Sequence, residues 1–183
     1  DREVTDAETK SAMHLVLLAK DNEGVANLRK LVSLAYIEGF YRKPRIDHEL
    51  IEKHHKGLIA LSACLVGEIP QRLLVGDTEG AKRLAQWYKD MFQDDFFIEL
   101  QDQGLPEEKD LNRQLFELSK EMNIEMVVTN DVHYVNREDA KAHDALLAIQ
   151  TQAKLTDTRR LKFDTEEFYL KTEDEMRVMF PRM

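Results

Sequence analysis

Short runs of apolar residues alternate with longer stretches in which apolar residues recur every three or four positions. The short runs predict strands, because about four to eight apolar residues in a row fit a strand that is covered on both faces. Four strands are predicted at His14–Ala19, Leu58–Ala63, Phe96–Leu100 and Met126–Thr129, and a shorter one at Phe168–Leu170. The first of these runs, HLVLLA, is expected to be buried.

Helices are predicted between the strands from the spacing of apolar residues and from end signals. Asp47 and Asp77 are placed to cap helices, and Pro106 to open one. Thr172 and Glu175 have the spacing of a capping box. The predicted helices run over Asn22–Gly39, from Asp47 to near Gly57, from Asp77 to Phe92, from Pro106 to Met122, and over Asp139–Gln150 and Glu173–Phe180. From the second strand onward strands and helices alternate, which predicts an α/β fold with parallel strands flanked by helices.

The length and the charge of the chain limit the classes of protein to which it can belong. The chain has 183 residues, 43% of them apolar, which suits one packed domain or most of one. Its net charge is −9, with lysines and arginines scattered among more numerous acids. Nucleic-acid binders usually carry a clustered basic face, so the chain alone is expected to be a poor DNA-binding surface.

The sequence also bears on compartment. Cys64 is the one cysteine, so an internal disulfide is impossible, which fits a reducing cytoplasm. No apolar run approaches the roughly 20 residues that a membrane helix needs. The chain opens on polar residues with neither Met nor signal peptide, as is typical of a segment of a longer protein. We expect a cytoplasmic location and a loose end over residues 1–13.

Polar side chains with metal-ligand chemistry follow three of the predicted strands. Cys64 follows the second strand, Gln103 the third, and Asp131 with His133 the fourth. Because the carboxyl ends of parallel strands share one edge of the sheet, we expect these four side chains to converge. Thiolate, carboxylate and imidazole groups are metal ligands, and a bound metal would acidify water and neutralise phosphate charge.

Each of these residues also has a purely structural interpretation. Cys64 can be a small core residue, Gln103 a loop amide, and Asn130 with Asp131 an Asx turn. His14 is expected to pack or pair locally. His143 is expected to form a hydrogen bond on its helix surface, with an approach to the predicted pocket as the alternative. Three further histidines are expected to be solvated: His48, His54 and His55. The sequence has neither a glycine-rich phosphate loop nor a nucleophile elbow.

Six phrases of the sequence carry a family resemblance. They are HLVLLAKDNEGVANLRKLVS (14–33), GLIALSACLVGEIPQR (57–72), FFIELQDQG (96–104), VVTNDVHYV (127–135), DAKAHDALLAIQT (139–151) and EEFYLKTEDEM (166–176). In this order they resemble the polymerase and histidinol phosphatase (PHP) domain of bacterial DNA polymerase III alpha subunits. The resemblance covers nearly the whole chain.

The resemblance implies a fold and a metal site. It implies a distorted barrel of about seven strand–helix units, of which residues 1–183 would form the later, C-terminal part, without the upstream metal motifs or the polymerase palm. The family's divalent metals (zinc, manganese or magnesium) would be bound at Cys64, Asp131 and His133. Gln103 stands where the family commonly has His, and is a degenerate ligand position because an amide binds transition metals more weakly than imidazole. The chain alone is expected to hold no metal or one weakly bound ion.

The resemblance also implies a function, with alternatives. The parent protein would be a DNA-directed DNA polymerase that binds DNA and other replicative polymerase subunits. Within it, the PHP domain would be either a metal-dependent phosphoesterase, such as a 3′-to-5′ exonuclease, or a degenerate domain that braces the polymerase or docks a subunit. A stand-alone PHP phosphatase such as histidinol phosphatase is the third alternative. The isolated chain is expected to be inactive.

Overall fold

The computed structural model describes residues 12–181. Most of the predicted loose end therefore lies outside the described residues. The described part divides into two compact units. The first unit contains the chain up to Glu99 together with Gln114–Val127. The second unit contains Leu100–Arg113 and the chain from Val128 onward.

Strands and helices alternate along most of the described chain, as predicted. The strands are β1 (Val16–Ala19), β2 (Leu58–Leu61), β3 (Phe96–Leu100) and β4 (Met126–Val128). The helices are α1 (Asn22–Ile37), α2 (His48–His54), α3 (Glu68–Leu74), α4 (Thr78–Phe92), α5 (Pro106–Met122), α6 (Ala140–Gln150) and α7 (Glu173–Met179). Short 3-10 turns precede β3 and α6, at Gln93–Asp95 and Arg137–Asp139. Among the described residues, the structure contains no helix long and apolar enough to span a bilayer.

The four strands form one sheet in the order β1-β2-β3-β4. β2 and β3 are parallel. The hydrogen bonds between β3 and β4 advance along both strands together, from Ile98 N to Glu125 O and then from Thr129 N to Leu100 O, as in a parallel pair. The predicted α/β class with three neighbouring parallel strands is thus confirmed. The complete seven-unit barrel stays an expectation.

The first strand differs from its prediction. β1 begins at Val16 rather than His14, and it pairs antiparallel with β2 in the register Val16–Leu61 to Ala19–Leu58. Leu18 is 49% exposed. The prediction of a buried strand is therefore wrong, because β1 is at the end of the described sheet and has one neighbouring strand there.

The core of the first unit lies between the sheet and α4. Ala60 of β2 and Ile98 of β3 are fully buried, and so are Ala81 and Ala85 of α4. Small side chains on a helix let it approach its neighbours closely. The ring of Tyr88 on α4 stacks on that of Phe96, with centroids 5.1 Å apart.

The helix ends follow the predicted caps. The carboxylates of Asp47 and Asp77 accept hydrogen bonds from the first turns of α2 and α4. The capping box between Thr172 and Glu175 is present before α7. Helix α3 was not predicted, because seven residues are too few to show helical periodicity and Pro70 lies in its first turn.

Candidate functional site

In the first unit, Cys64 lies in a tight turn after β2. Ala63 has a positive φ of 65°, which ends the strand two residues earlier than predicted. The turn brings Cys64 Sγ to 3.5 Å from His14 Nδ1. His14 is held there by a 3.0 Å hydrogen bond from its backbone N–H to the carbonyl of Val66. Thiol and imidazole are both metal-ligand groups.

His14 is thus a functional candidate that sequence reasoning missed. The expected local packing or pairing of His14 is replaced by a contact with Cys64, 50 residues away in the sequence. Apolar periodicity carries no information about such a contact. A useful signal was present all the same, because His14 opens an apolar run that leads into a strand, and Cys64 follows the strand that pairs with it.

In the second unit, Gln103 is buried and bonded. It is 1% exposed. Its backbone N–H donates to Glu108 Oε2 at 2.7 Å. Its side-chain amide fits between two partners: the nitrogen faces the Glu108 carboxylate, and the oxygen accepts from the backbone N–H of Asp131 at 3.3 Å. Burial raises the pKa of the Glu108 carboxyl. The amide at the degenerate ligand position is therefore already occupied by protein groups.

Asp131 and His133 are held together by the loop after β4. Asp131 Oδ1 lies 3.4 Å from His133 Nε2, and the two side chains are 38% and 37% exposed. The backbone N–H of His133 donates to the carbonyl of Phe168 at 2.8 Å. The side chain of Asn130 donates to the carbonyl of Tyr169 at 2.7 Å. A carboxylate and an imidazole thus lie side by side, each partly exposed, on a loop that these hydrogen bonds hold in place.

An aromatic wall surrounds one side of His133. Its ring centroid lies 4.8 Å from that of Phe163, 5.4 Å from Phe168 and 5.5 Å from His143. Burial first, and then the neighbouring His133, lowers the pKa of His143. Of the two roles considered for His143, the structure supports the approach to the predicted pocket, since its ring lies beside His133.

A buried lysine supports the same loop. The side chain of Lys171 is 1% exposed. Its ammonium group lies 4.4 Å from the centroid of the Tyr169 ring and 3.5 Å from Asn130 Oδ1, and it also donates to the carbonyl of Glu167. Burial lowers the pKa of Lys171. This lysine therefore stabilises the segment that precedes Asp131.

The structure brings some of the four predicted site residues together. Within the second unit, Gln103 contacts the backbone of Asp131, and Asp131 contacts His133. Cys64 belongs to the first unit. The convergence of all four residues stays a prediction. Across residues 12–181, no group of three or more His, Cys, Asp or Glu side chains is arranged to hold a metal ion.

His48 departs from its expected solvation. Its Nε2 lies 2.9 Å from Glu68 Oε2, and its ring stacks on Trp87 with centroids 4.2 Å apart. The hydrogen bond to Glu68 raises the pKa of His48, against the opposing effect of burial. The prediction of a solvated His48 therefore holds only in part, because the side chain is 40% exposed while α2 presents this ring to residues of α3 and α4.

Comparison with known proteins adds to this geometry. A model of the PHP domain matches residues 3–103, more than half of the chain. DNA polymerase III subunit alpha of Deinococcus radiodurans is 50% identical over 181 residues, which cover 99% of this chain and 14% of that protein. The subunit of the same name from Thermus aquaticus is 51% identical over 92% of this chain and 14% of its own length. That from Treponema pallidum is 50% identical, with the same coverage. The chain thus spans about one seventh of the length of these relatives.

Proposed function

Because this chain belongs to the PHP domain family, we propose that it is part of a bacterial replicative DNA polymerase of the DNA polymerase III alpha type. The observation that carries the proposal is the 50% identity to such a subunit over 99% of this chain. The longer protein would be a DNA-directed DNA polymerase, that is, a nucleotidyltransferase, in the bacterial cytoplasm. Its partners would be DNA and other replicative subunits. The same identity favours the polymerase over a stand-alone phosphatase.

Within that protein, we propose that the chain contributes metal ligands. Two pairs of ligand groups support this role: Cys64 with His14 in the first unit, and Asp131 with His133 in the second. Thiolate and imidazole suit zinc, and imidazole with carboxylate suits zinc or manganese. When bound, such a metal acidifies water and neutralises phosphate charge, which is the chemistry of phosphoester hydrolysis, as in a 3′-to-5′ exonuclease.

This chain's own residues would prepare the site. Asp131 and His133 would face the same ion, since Oδ1 and Nε2 lie 3.4 Å apart on one loop. Lys171 and Asn130 would hold the loop in place through Tyr169. The aromatic wall of Phe163 and Phe168 would keep water from one face of the His133 ring.

One observation favours a second candidate role, that of a structural or subunit-docking domain. The Gln103 amide is buried, its nitrogen faces the Glu108 carboxylate and its oxygen accepts from the backbone N–H of Asp131. An amide that is committed in this way stabilises the loop instead of binding an ion. In that role the domain would brace the polymerase or dock a separate proofreading subunit.

Metal content separates the two roles. The long polypeptide that contains this chain is purified without chelators, and its metal content is determined by mass spectrometry. The wild type is expected to retain at least one divalent ion per chain, and Asp131→Ala to lose most of it. Asp110→Ala, an exposed acid on α5, is the matched control and should retain the wild-type content. A metal-free wild type would favour the structural role.

Primer extension tests the polymerase assignment separately. The long polypeptide should extend a primed template, and the purified 183-residue chain should not. Template-dependent synthesis by the chain alone would contradict the proposal that the polymerase centre lies elsewhere. Absence of synthesis by the long polypeptide would contradict the assignment itself.

A further inference from the structure

The end of α1 and the turn after it are basic, whereas the chain as a whole is acidic. Residues 29–45 contain five basic residues and the single acid Glu38, against a net charge of −9 for the whole chain. The basic residues are Arg29, Lys30, Arg42, Lys43 and Arg45. The expectation of a poor DNA-binding surface rested on the net charge of the whole chain, and the charge of this segment has the opposite sign.

Two aromatic rings are exposed in the same segment. Tyr36 is 59% and Phe40 55% exposed, and their rings stack with centroids 6.1 Å apart and planes at 21°. Tyr36 continues the face of α1 that carries Arg29 and Val32, by the spacing of three and four residues. Exposed aromatic rings next to cations are typical of surfaces that bind single-stranded nucleic acid.

The turn that carries the cations has a fixed backbone. Arg42 is at its tip, with a positive φ of 61°. The backbones of Tyr41 and Lys43 hold this conformation with two hydrogen bonds, of 3.1 and 2.6 Å. The guanidinium of Arg45 donates to the carbonyl of Gly39 at 3.0 Å and ties the turn to the end of α1. A left-handed conformation in a non-glycine residue is costly and is often found at binding sites.

The guanidinium groups are arranged around a third aromatic ring. The central carbons of Arg42 and Arg45 each lie 5.5 Å from the centroid of the Tyr41 ring. This cation–π contact limits the motion of both side chains. The turn is therefore organised before a ligand arrives, which reduces the entropy lost on binding.

We propose that the end of α1 and the turn after it bind a segment of single-stranded DNA through Tyr36, Phe40, Arg42 and Lys43. The two cations would pair with phosphates, and the exposed rings would stack on bases. Stacking on a side chain requires an unstacked base, so a single strand fits better than a duplex. The choice of DNA as the polyanion rests on the proposed function. The preference for a single-stranded nucleic acid rests on the geometry of the turn.

Binding is measured by fluorescence anisotropy with the purified chain and a fluorescein-labelled oligothymidylate of about 16 nucleotides. Arg42→Asn/Lys43→Gln removes two charges, and Asn tolerates the positive φ at the tip. Tyr36→Ala/Phe40→Ala removes the rings. Lys109→Gln/Lys141→Gln is the matched control, since it removes two exposed charges from the second unit. Circular dichroism of each variant verifies the fold.

The expected results differ between the variants. The charge variant should bind about tenfold more weakly at about 50 mM salt, and its plot of log affinity against log salt should be shallower by about 1.4. The ring variant should lose at least about fivefold with little change in that slope. The control should bind like the wild type, and a duplex of the same length should bind more weakly than the single strand.

Several results would overturn the proposal. Equal weakening by the control would indicate unspecific attraction. An unchanged affinity of the ring variant would exclude stacking. Self-association of the chain that depends on Tyr36 and Phe40, without oligonucleotide binding, would assign the surface to a protein contact. If Tyr36→Ala/Phe40→Ala does not fold, the salt dependence of binding by Arg42→Asn/Lys43→Gln still tests the proposal. The anisotropy assay measures binding and needs no DNA synthesis. A negative result in it can therefore be distinguished from a negative result in primer extension.

Discussion

The first unit is packed around apolar side chains, whereas the second unit relies heavily on hydrogen bonds from buried polar groups. In the first unit, Ala60 and Ile98 of neighbouring strands are fully buried. In the second, the buried polar residues Gln103, Glu108 and Lys171 form hydrogen bonds that hold the loops after β3 and β4. The predicted ligand pair Asp131 and His133 is therefore positioned by polar contacts.

The two modes of stabilisation respond differently to mutation. Apolar burial is roughly additive in area, at about 25 cal/mol per Å², and a deletion in a packed core also leaves a cavity. A hydrogen bond contributes a net of about 1 kcal/mol, but a buried group that loses its partner costs about 1–3 kcal/mol. The first unit should thus depend on side-chain volume, and the second on the presence of particular partners.

The largest effect is expected from Ile98→Ala at the centre of the sheet. Ile98 is fully buried in β3, so the substitution should lower the free energy of unfolding by about 2–5 kcal/mol. Urea unfolding followed by fluorescence of Trp87, the one tryptophan of the chain, measures the effect in the first unit. The control Ile149→Ala changes an exposed residue and should stay within about 0.5 kcal/mol of wild type. A small effect of Ile98→Ala would show that the first unit is not packed as described.

Glu108→Ala should produce a smaller loss that is confined to the second unit. It removes the acceptor for the backbone N–H groups of Gln103 and Leu105, at 2.7 and 3.1 Å, and leaves them without this partner. We expect a cost of about 2–3 kcal/mol. Hydrogen exchange of these two amides should accelerate, while the amides of β3 stay protected. Glu108→Gln keeps one acceptor oxygen and should cost less, and an equal loss for both variants would contradict the hydrogen-bond explanation.

Removal of the α7 cap is expected to have a moderate and local effect. The hydroxyl of Thr172 accepts from the backbone N–H of Glu175, whose carboxylate accepts from the backbone N–H of Thr172. Thr172→Ala should cost about 1 kcal/mol of helix stability, and Thr172→Ser should restore most of it. Hydrogen exchange of the Glu175 amide measures the effect. Equal exchange rates in Ala and Ser variants would show that the cap does not stabilise α7.

The same contrast explains which parts of the fold the sequence predicts. β3 was predicted over its exact range, and β2 and β4 to within one or two residues, because continuous apolar runs are a local signal of buried strands. The edge position of β1 was not predicted, since a buried strand and an edge strand can have the same residues. The predicted strand over residues 168–170 is reduced to one bridge between Tyr134 and Tyr169.

For the site, the sequence identified residue types but not their partners. Asp131 and His133 were predicted as a pair because they lie two positions apart after a strand, and the structure brings them to 3.4 Å. The contact between His14 and Cys64 and the burial of Gln103 depend on residues distant in sequence or on backbone groups. No periodic pattern encodes such contacts, so they become visible only in the folded chain.

The smallest expected effect concerns a polar contact inside the apolar first unit. His48 Nε2 lies 2.9 Å from Glu68 Oε2, and the hydroxyl of Tyr88 donates to the same oxygen at 3.0 Å. The hydrogen bond to Glu68 raises the pKa of His48 above 6.5 in the folded chain. Burial opposes ionisation of Glu68, but the bonds from His48 and Tyr88 keep the pKa of this carboxyl below 4.5.

The signs of these two shifts define a pH window. A raised histidine pKa stabilises the fold fully below the unfolded value of 6.5, and this contribution is lost as pH rises through the folded pKa. A lowered carboxyl pKa stabilises it above 4.5, and that contribution is lost as pH falls. His48→Gln should therefore cost more at about pH 5.5 than at about pH 8.5, by less than about 1 kcal/mol because the pair is partly exposed. Urea midpoints from far-ultraviolet circular dichroism measure the difference, with His54→Gln as the control. A cost that does not depend on pH would show that the His48 ring stabilises the fold only by stacking on Trp87. In that case the contact with Glu68 would add no polar stabilisation to the first unit.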